Sequence, residues 1–203
     1  ATIESFRRQI ENPFQTDVIV VANGCTDDTA NIAHDLGAVV LELEEANVSK
    51  ARNYGARRAR GDLLIFNDAD TIVAPDYIEV IAQALKRGEI DYGVARAKAD
   101  KFTPSALTYA LMLNFGGVVL REACGNLFVE TEYFDMVNGF NEELTKGEDN
   151  DLSIRLRERG AQYGFVSNTY FQPSSRAASL QRIFNDTLSY IRLRSTGKLE
   201  EQP

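Results

Sequence analysis

The chain alternates short apolar runs with amphipathic stretches, a pattern typical of an α/β fold whose mostly parallel sheet is flanked by helices. A strand that is buried on both faces is apolar at nearly every position, and three runs in the first half meet that description. The predicted strands are "DVIVVA" (17–22), "VVLEL" (39–43) and "DLLIFN" (62–67), and the predicted helices between and after them are "TDDTANIAHDLGA" (26–38), "NVSKARNYGARRARG" (47–61) and "PDYIEVIAQALKRG" (75–88).

The second half is less regular, but strands and helices are still predicted from their periodicity. In order, these elements are the strand "DYGVARAKA" (91–99), the helix "PSALTYALMLNF" (104–115), the strand "CGNLFVE" (124–130), the helical stretch "TEYFDMVNG" (131–139), the helix "GEDNDLSIRLRERG" (147–160) and the helix "SLQRIFNDTLSYIRLR" (179–194). No internal repeat or linker interrupts the pattern, so we expect one domain over residues 1–203.

The chain opens on a helical pattern, with Ile3, Phe6 and Ile10 at helical spacing. In a doubly wound sheet such a helix should follow a strand, and no strand precedes it here. We therefore expect a chain that is truncated at its N-terminus and lacks an inner strand.

Composition narrows the classes of partner. With a net charge of −8, the chain is not expected to bind the phosphate backbone of a nucleic acid. Cys25 and Cys124 have no metal-ligand spacing, which favours reduced thiols in a cytoplasmic protein. The sequence predicts no transmembrane segment; its most apolar stretch, "ALTYALMLNFGGVVL" (106–120), is either a core helix or a peripheral contact with a membrane.

Two carboxylates, Asp68 and Asp70, end the strand "DLLIFN". Residues two apart in an extended stretch point the same way, so both can reach one divalent cation. Carboxylate oxygens suit Mg²⁺ or Mn²⁺, which in turn would bridge the phosphates of a nucleotide. A solvated surface turn is the alternative interpretation of the pair taken alone.

Further motifs accompany this acidic pair along the chain. They are "ANGCTDDT" after the first strand, "ARN" ahead of the acidic pair, "NGF" at 138–140, and "GEDNDL" at 147–152. In order and spacing they resemble the inverting family 2 glycosyltransferases with a GT-A fold. The resemblance covers roughly residues 2–175 and implies sugar transfer from a nucleotide-diphosphate sugar to an acceptor hydroxyl.

The resemblance also implies roles on the donor side, in a nucleotide-binding half over residues 1–90. Asp70 and Asp68 would hold the metal and the UDP- or GDP-sugar. Asn23 stands where the family has an acidic residue that contacts the base. Arg52 matches a residue near the nucleotide, with a charge on the helix surface as the alternative. The family's late metal-site histidine has no counterpart, since the only histidine is His34, and Arg176 is a candidate for contact with the diphosphate instead.

On the acceptor side, over residues 91–203, the resemblance implies Asp149 as general base, with Glu148 orienting it. For Asp151 we expect a helix-capping role and an ion pair with Arg155. Gly125 and Asn126 would line the acceptor side, where a glycan, a lipid-linked molecule or a small molecule binds. The expected setting is cell-envelope polysaccharide or glycolipid synthesis.

Two other functions remain open from the sequence. A sugar nucleotidyltransferase also uses a nucleotide fold and carboxylate-bound metal, but it would need a glycine-rich basic loop near its start. A degenerate GT-A-like module that binds a glycan or a partner without catalysis is the second alternative. The chain has no tryptophan, so the Q-x-x-R-W motif of processive synthases is absent.

Overall fold

The computed structural model describes residues 1–9, 14–122, 125–144 and 146–176. In chain order its elements are α1 (Thr2–Arg7), β1 (Ile19–Asn23), α2 (Thr29–Asp35), β2 (Val39–Leu43), α3 (Val48–Ala56), β3 (Leu63–Asn67), β4 (Ile72–Val73), α4 (Tyr77–Lys86), β5 (Tyr92–Ala97), α5 (Pro104–Phe115), a π-helical turn (Gly116–Leu120), β6 (Asn126–Glu130), α6 (Thr131–Met136), α7 (Glu148–Glu158) and β7 (Tyr163–Gln172).

The strands form two sheets within the described residues. β1 and β2 pair in parallel, and the larger sheet has the order β3-β6-β5-β7-β4. In the larger sheet only β5 and β7 run parallel, while the other three neighbouring pairs are antiparallel. The α/β class with flanking helices is confirmed, but the expectation of a mostly parallel sheet is wrong for the larger sheet. Periodicity identifies a strand without fixing its direction, which depends on pairing with distant strands.

The larger sheet separates two hydrophobic clusters, because successive side chains of a strand point to opposite faces. In β6, Leu127 and Val129 enter one cluster and Phe128 enters the other. The first cluster includes residues of α6 and α7, and the second includes residues of α4 and α5. Strand β6 begins with the polar residue Asn126, opposite Asn67 at the end of β3, and the candidate site lies at this edge of the sheet.

Helix α1 packs against the segment that follows β3. The Ser5 hydroxyl accepts a hydrogen bond from the Val73 amide (3.3 Å), and the Gln9 side chain accepts one from the Ile78 amide (2.7 Å). The Thr2 hydroxyl donates to the Ala69 carbonyl (2.8 Å). The first helix therefore supports the turn that carries the acidic pair.

Most predicted elements are present, with two additions. Strands β4 and β7 have no counterpart among the predicted elements; β7 is paired with β5 across a register shift after Ala95. The predicted helix at 179–194 lies outside the described residues. Cys25 is a free, exposed thiol, and Cys124 lies outside the described residues.

Candidate active site

The turn after β3 is held in shape by an asparagine. The Asn67 side-chain amide donates to the carbonyls of Asp68 (2.9 Å) and Thr71 (3.1 Å), and the Thr71 amide also donates to the Asp68 carbonyl (3.0 Å). These bonds close the turn and direct Asp68 and Asp70 away from the strand. The two carboxylates are each about half exposed, at 48% and 47%.

Asn126 supports the same turn from inside the sheet. Its side-chain amide donates to Asn67 Oδ1 (2.8 Å), and its carbonyl oxygen accepts the hydroxyl of Tyr77. Burial raises the pKa of Tyr77 far above its ordinary value, so this hydroxyl remains a donor. Asn126 is only 1% exposed. Both ends of its side-chain amide are thus engaged in the core, and its role on the acceptor side stays a prediction.

Arg52 lies at the centre of the site and joins three carboxylates. Its Nη1 donates to Asp149 Oδ1 (2.6 Å) and Glu148 Oε1 (2.9 Å), while its Nη2 donates to Asp68 Oδ1 (3.1 Å). The guanidinium also lies 5.2 Å from the centre of the Phe140 ring. With a side chain only 13% exposed, Arg52 is a buried ion-pair partner and not a charge on the helix surface.

The electrostatics follow from this burial. Burial alone would lower the pKa of Arg52, but Asp149, Asp68 and Glu148 outweigh it and the net shift is upward. Burial raises the pKa of Asp68, and Arg52 opposes that rise. Burial, followed by the charge of Asp149, likewise raises the pKa of Glu148. One cation thus pairs with all three carboxylates but offsets only one of their three negative charges.

Helix α3 is fixed at its N-terminus and near its middle. Asn47 caps it by accepting from the Lys50 amide (2.9 Å), and Asn23 Oδ1 in turn accepts from the Asn47 amide (2.9 Å). Near the middle, Asn53 forms a pair of hydrogen bonds with the backbone of Phe140, donating at 2.9 Å and accepting at 2.8 Å. This pairing sets Arg52 at a defined distance from the segment that leads to α7.

A glycine permits the close approach of α3 to that segment. Gly139 has a φ of +69°, and a Cβ at this position would lie 2.5 Å from Asn53 Oδ1. The "NGF" motif therefore supplies both the backbone groups that Asn53 binds and the space that its side chain needs.

Helix α7 presents Glu148 and Asp149 in its first turn, immediately after Gly147. The positive end of the helix dipole favours carboxylates there. Asp149 Oδ2 accepts from the Gly125 amide (3.1 Å), while its Oδ1 is bound by Arg52. Gly125 also lies beside the acidic pair, because a Cβ on it would lie 3.2 Å from Asp68 Oδ2. Asp68, Arg52, Asp149 and Gly125 therefore form one contiguous cluster.

Two other predicted residues lie at the margins of this cluster. Arg176 Nη2 is 3.3 Å from Asp70 Oδ2, and its side chain is 76% exposed. Asn23 ends β1, beside an open cavity of about 300 Å³ that is lined by the loop from Gly24 to Asp27 and by the end of β2. Asn23 is connected to the cluster only indirectly: its side chain binds the Asn47 amide, and Asn47 caps α3, which carries Arg52.

The arrangement is compatible with a divalent ion shared with a ligand. Within the described ranges, no three histidine, cysteine, aspartate or glutamate side chains lie close enough to hold a metal on their own. Asp68 Oδ2 and Asp70 Oδ1 accept no hydrogen bond from the described residues. Mg²⁺ is commonly held by one or two carboxylates together with substrate phosphates and water, so this donor pair fits such an ion.

Some predicted residues have structural roles, and some positioning residues were not predicted. As expected, Asp151 pairs with Arg155 (2.7 Å), and His34 is on the surface with 82% of its side chain exposed. The roles of Asn53 and Asn67 were missed, although both stand inside quoted motifs. The signal that could have found them is an amide side chain next to a charged residue within a motif, since buried amides bind backbone.

The chain matches the glycosyl transferase family 2 profile over residues 1–132. It belongs to glycosyl transferase family 2. A curated relative, the low-salt glycan biosynthesis hexosyltransferase Agl6 of Haloferax volcanii, is 27% identical over 89 residues, which cover 44% of this chain and 22% of that protein. The resemblance predicted from the motifs is thereby confirmed.

Two solved structures share the GT-A fold. Glucosyl-3-phosphoglycerate synthase from Mycobacterium tuberculosis, in complex with Mn²⁺ and UDP-glucose, aligns with a TM-score of 0.68 and 21% identity over 99% of this chain and 76% of that one. TarS of S. aureus, in complex with UDP, aligns with a TM-score of 0.65 and 19% identity over 86% of this chain and 56% of that one. The chain thus spans less than a quarter of Agl6 and little more than half of the TarS chain.

Among the described residues, no helix is both long enough and apolar enough to cross a membrane.

Proposed function

We propose that this chain is an inverting glycosyltransferase that moves a hexose from a UDP- or GDP-sugar to an acceptor hydroxyl. The observation that carries the proposal is the position of Arg52, which binds Asp68 on one side and Asp149 on the other. A donor-binding carboxylate and a candidate base are thereby held within one ion-pair network. Transfer between two substrates needs such a fixed relation between the two halves of a site.

On the donor side, Asp68 and Asp70 would bind the sugar diphosphate through Mg²⁺ or Mn²⁺. Such an ion, when bound, neutralises the negative charge that develops on the departing diphosphate. Arg176, already beside Asp70, would contribute a second positive charge near the phosphates. The complex of glucosyl-3-phosphoglycerate synthase with Mn²⁺ and UDP-glucose supports this assignment by likeness of fold.

The nucleoside would lie toward the end of β1, where Asn23 is the candidate contact with the base. The open cavity beside Asn23 supports this placement. An amide can bond to a nucleobase as donor and acceptor, so Asn23 does not by itself select between uridine and guanosine.

On the acceptor side, Asp149 would remove the proton from the attacking hydroxyl. The acceptor oxygen bonds to the anomeric carbon, the bond from that carbon to the diphosphate oxygen breaks, and the proton passes to Asp149. Each carboxylate oxygen has two lone pairs, so Asp149 can bind Arg52 and Gly125 and still accept this proton. Glu148, on the same arginine atom, would help to orient Asp149.

The acceptor would approach along the segment that contains Gly125, whose amide already binds Asp149. Its class stays open among a glycan, a lipid-linked molecule and a small molecule; the similarity to a glycan biosynthesis hexosyltransferase favours the first two. A role in cell-envelope synthesis is proposed from the same similarity, and a cytoplasmic location is proposed from the cysteine spacing.

The donor site is tested by calorimetric titration with UDP and with GDP, each with and without Mn²⁺. We expect metal-dependent binding of one nucleotide, weakened more than about tenfold in Asp70→Asn, since even partners of metal ligands contribute that much. The matched control is Asp62→Asn, at the opposite end of β3, which should bind like the unchanged chain. Equal binding with and without the metal, or in both variants, would contradict the assignment of the acidic pair.

A further inference from the structure

One long surface of the molecule is apolar without having a partner in the described structure. The twelve residues of α5 and the five of the π-helical turn include no charged side chain. Most of the side chains that face outward are large and apolar, although Thr108 is also exposed; Leu111 is 69% exposed and Phe115 57%. We call this surface the α5 face, and its members are Leu107, Leu111, Phe115, Val118 and Val119.

The opposite side of this helix fixes its orientation. Asn114 pairs with the backbone of Ala97, donating at 2.9 Å and accepting at 2.8 Å. The Tyr163 hydroxyl donates to the Gly117 carbonyl (2.8 Å). A Cβ at Gly117 would lie 2.9 Å from the Phe165 ring, so the turn lies directly on the sheet. With this side bound, the α5 face points to the outside.

The charges around the α5 face are opposite in sign to the protein as a whole. The chain has a net charge of −8, yet residues 96–121 include four basic residues and one acidic residue. Arg96, Lys98, Lys101 and Arg121 are all exposed, and they bracket the helix at both ends. The acidic residue, Asp100, accepts a hydrogen bond from the Ser175 amide (3.0 Å).

From this combination we infer that the α5 face docks on the surface of an anionic lipid bilayer. A helix with exposed apolar residues and flanking basic residues lies in the plane of a membrane, with its apolar side among the acyl chains and its cations at the headgroups. Exposed apolar surface of this extent marks an interaction site in soluble proteins. The basic residues give the site its preference for negatively charged lipid.

Charge also argues against a second copy of this chain as the occupant. A two-fold contact through the α5 face would place the same surface on both sides. Lys101 and Arg121 of one copy would then face the same cations of the other, and like charges across an interface are destabilising. An anionic bilayer has no such penalty.

The inference goes beyond sugar transfer, and it stands whether or not the donor site is active. It has one consequence for the proposed function. Gly125, whose amide binds Asp149, follows the end of the π-helical turn by five positions in the sequence. Docking would therefore bring the acceptor side of the candidate active site toward the bilayer.

The absence of tryptophan from the sequence allows a clean fluorescence test. Phe115→Trp places one tryptophan on the α5 face, and Ile32→Trp on α2 is the control, because Ile32 is 58% exposed and Phe115 57%. The full chain is mixed with vesicles of phosphatidylglycerol and phosphatidylcholine, and with vesicles of phosphatidylcholine alone. We expect a blue shift for Phe115→Trp with the anionic vesicles, and none for Ile32→Trp.

Sedimentation with the same anionic vesicles measures separately what the apolar and the basic residues contribute to vesicle binding. Leu111→Gln should lower the partition constant between water and vesicles about tenfold or more, because one large apolar side chain is lost from the lipid. Lys101→Gln and Arg121→Asn should each reduce it about fivefold, the effect of one cation near an anionic surface. Asparagine is chosen at 121 because that residue has a φ of +55°, which asparagine tolerates.

Three outcomes would overturn the inference. The first is an equal response of both tryptophan variants, or none, to anionic vesicles. The second is a blue shift of Phe115→Trp that grows with protein concentration in the absence of lipid, which would indicate a second copy. The third is emission from Phe115→Trp that is already blue-shifted at low concentration and insensitive to vesicles, which would mean that residues 177–203 cover the face.

Discussion

Replacing Arg52 by methionine removes the charge at the centre of the candidate site while keeping most of the side-chain stem. Two of its three carboxylate partners, Glu148 and Asp149, are only 13% and 14% exposed. Without the guanidinium they stay side by side at the start of α7, within a site that is shielded from water. We expect Arg52→Met to destabilise the fold substantially.

The size of the effect follows from the degree of burial. Removing one partner of a buried ion pair costs roughly 3–5 kcal/mol, because the remaining charge is left uncompensated. The pair with Asp68 adds little, since that carboxylate is 48% exposed and screened by solvent. For a chain of 203 residues, a loss of this size lowers Tm by roughly 6–20 °C.

The assay is urea and thermal unfolding of Arg52→Met beside Arg57→Met, at about pH 7 and about pH 4.5. Arg57 is 64% exposed and lies 4.0 Å from Glu142, so its loss should cost less than about 1 kcal/mol. Burial already raises the pKa values of Glu148 and Asp68 in the folded chain, and loss of Arg52 raises them further. A group whose folded pKa is raised favours the fold at low pH and loses that contribution as the pH rises.

The free energy of unfolding that Arg52→Met loses relative to the unchanged chain should therefore be largest at neutral pH and smaller at the acidic pH. The account of the network would be refuted if Arg52→Met were no less stable than Arg57→Met. It would also be refuted if the deficit were the same at both pH values, because the loss would then not come from unpaired carboxylates.

The remaining predictions concern the contacts around this arginine. Asn53→Ala should lower the free energy of unfolding, measured by urea denaturation, by about 2–4 kcal/mol, because the buried backbone amide and carbonyl of Phe140 lose their partners. A loss below about 1 kcal/mol would contradict this role. Gly125→Ala should weaken calorimetric binding of UDP with Mn²⁺, because its methyl group would press on Asp68 Oδ2. Gly88→Ala, at a similar φ of +68° in open space, carries the same backbone strain and should bind normally; equal binding by both variants would contradict the proposed contact.

Much of the local structure could be predicted from the sequence. The boundaries of β2 and α5 agree with the predicted runs "VVLEL" and "PSALTYALMLNF", because apolar content and a proline start are local signals. Strand β7 was missed: its polar middle, "SNT", interrupts the alternation, and the strand is held by pairing with β5 across a register shift. The directions of the strands likewise depend on distant partners.

The candidate site, like the fold, could be predicted from the sequence only in part. Its carboxylates stand in motifs that the sequence displays, so the acidic pair and the start of α7 could be identified without a structure. Arg52 could not be placed, because the residues it binds on α7 are 96 and 97 positions away along the chain. The support that Asn126 gives to the turn after β3 was not predicted for a related reason: only the packed sheet shows that its side chain binds Asn67 and Tyr77.

The measurement that tests the central claim most directly is turnover of a UDP-sugar by Asp149→Asn and Asp151→Asn, beside calorimetric binding of UDP with Mn²⁺. Both residues are in the first turn of α7, but only Asp149 binds Arg52 and Gly125. We predict that Asp149→Asn loses roughly 10²–10⁴ in kcat while it still binds UDP, as expected for removal of a general base. Asp151→Asn should keep its turnover. Equal turnover by the two variants would contradict the assignment of Asp149 and, with it, the proposed arrangement of donor and acceptor around Arg52.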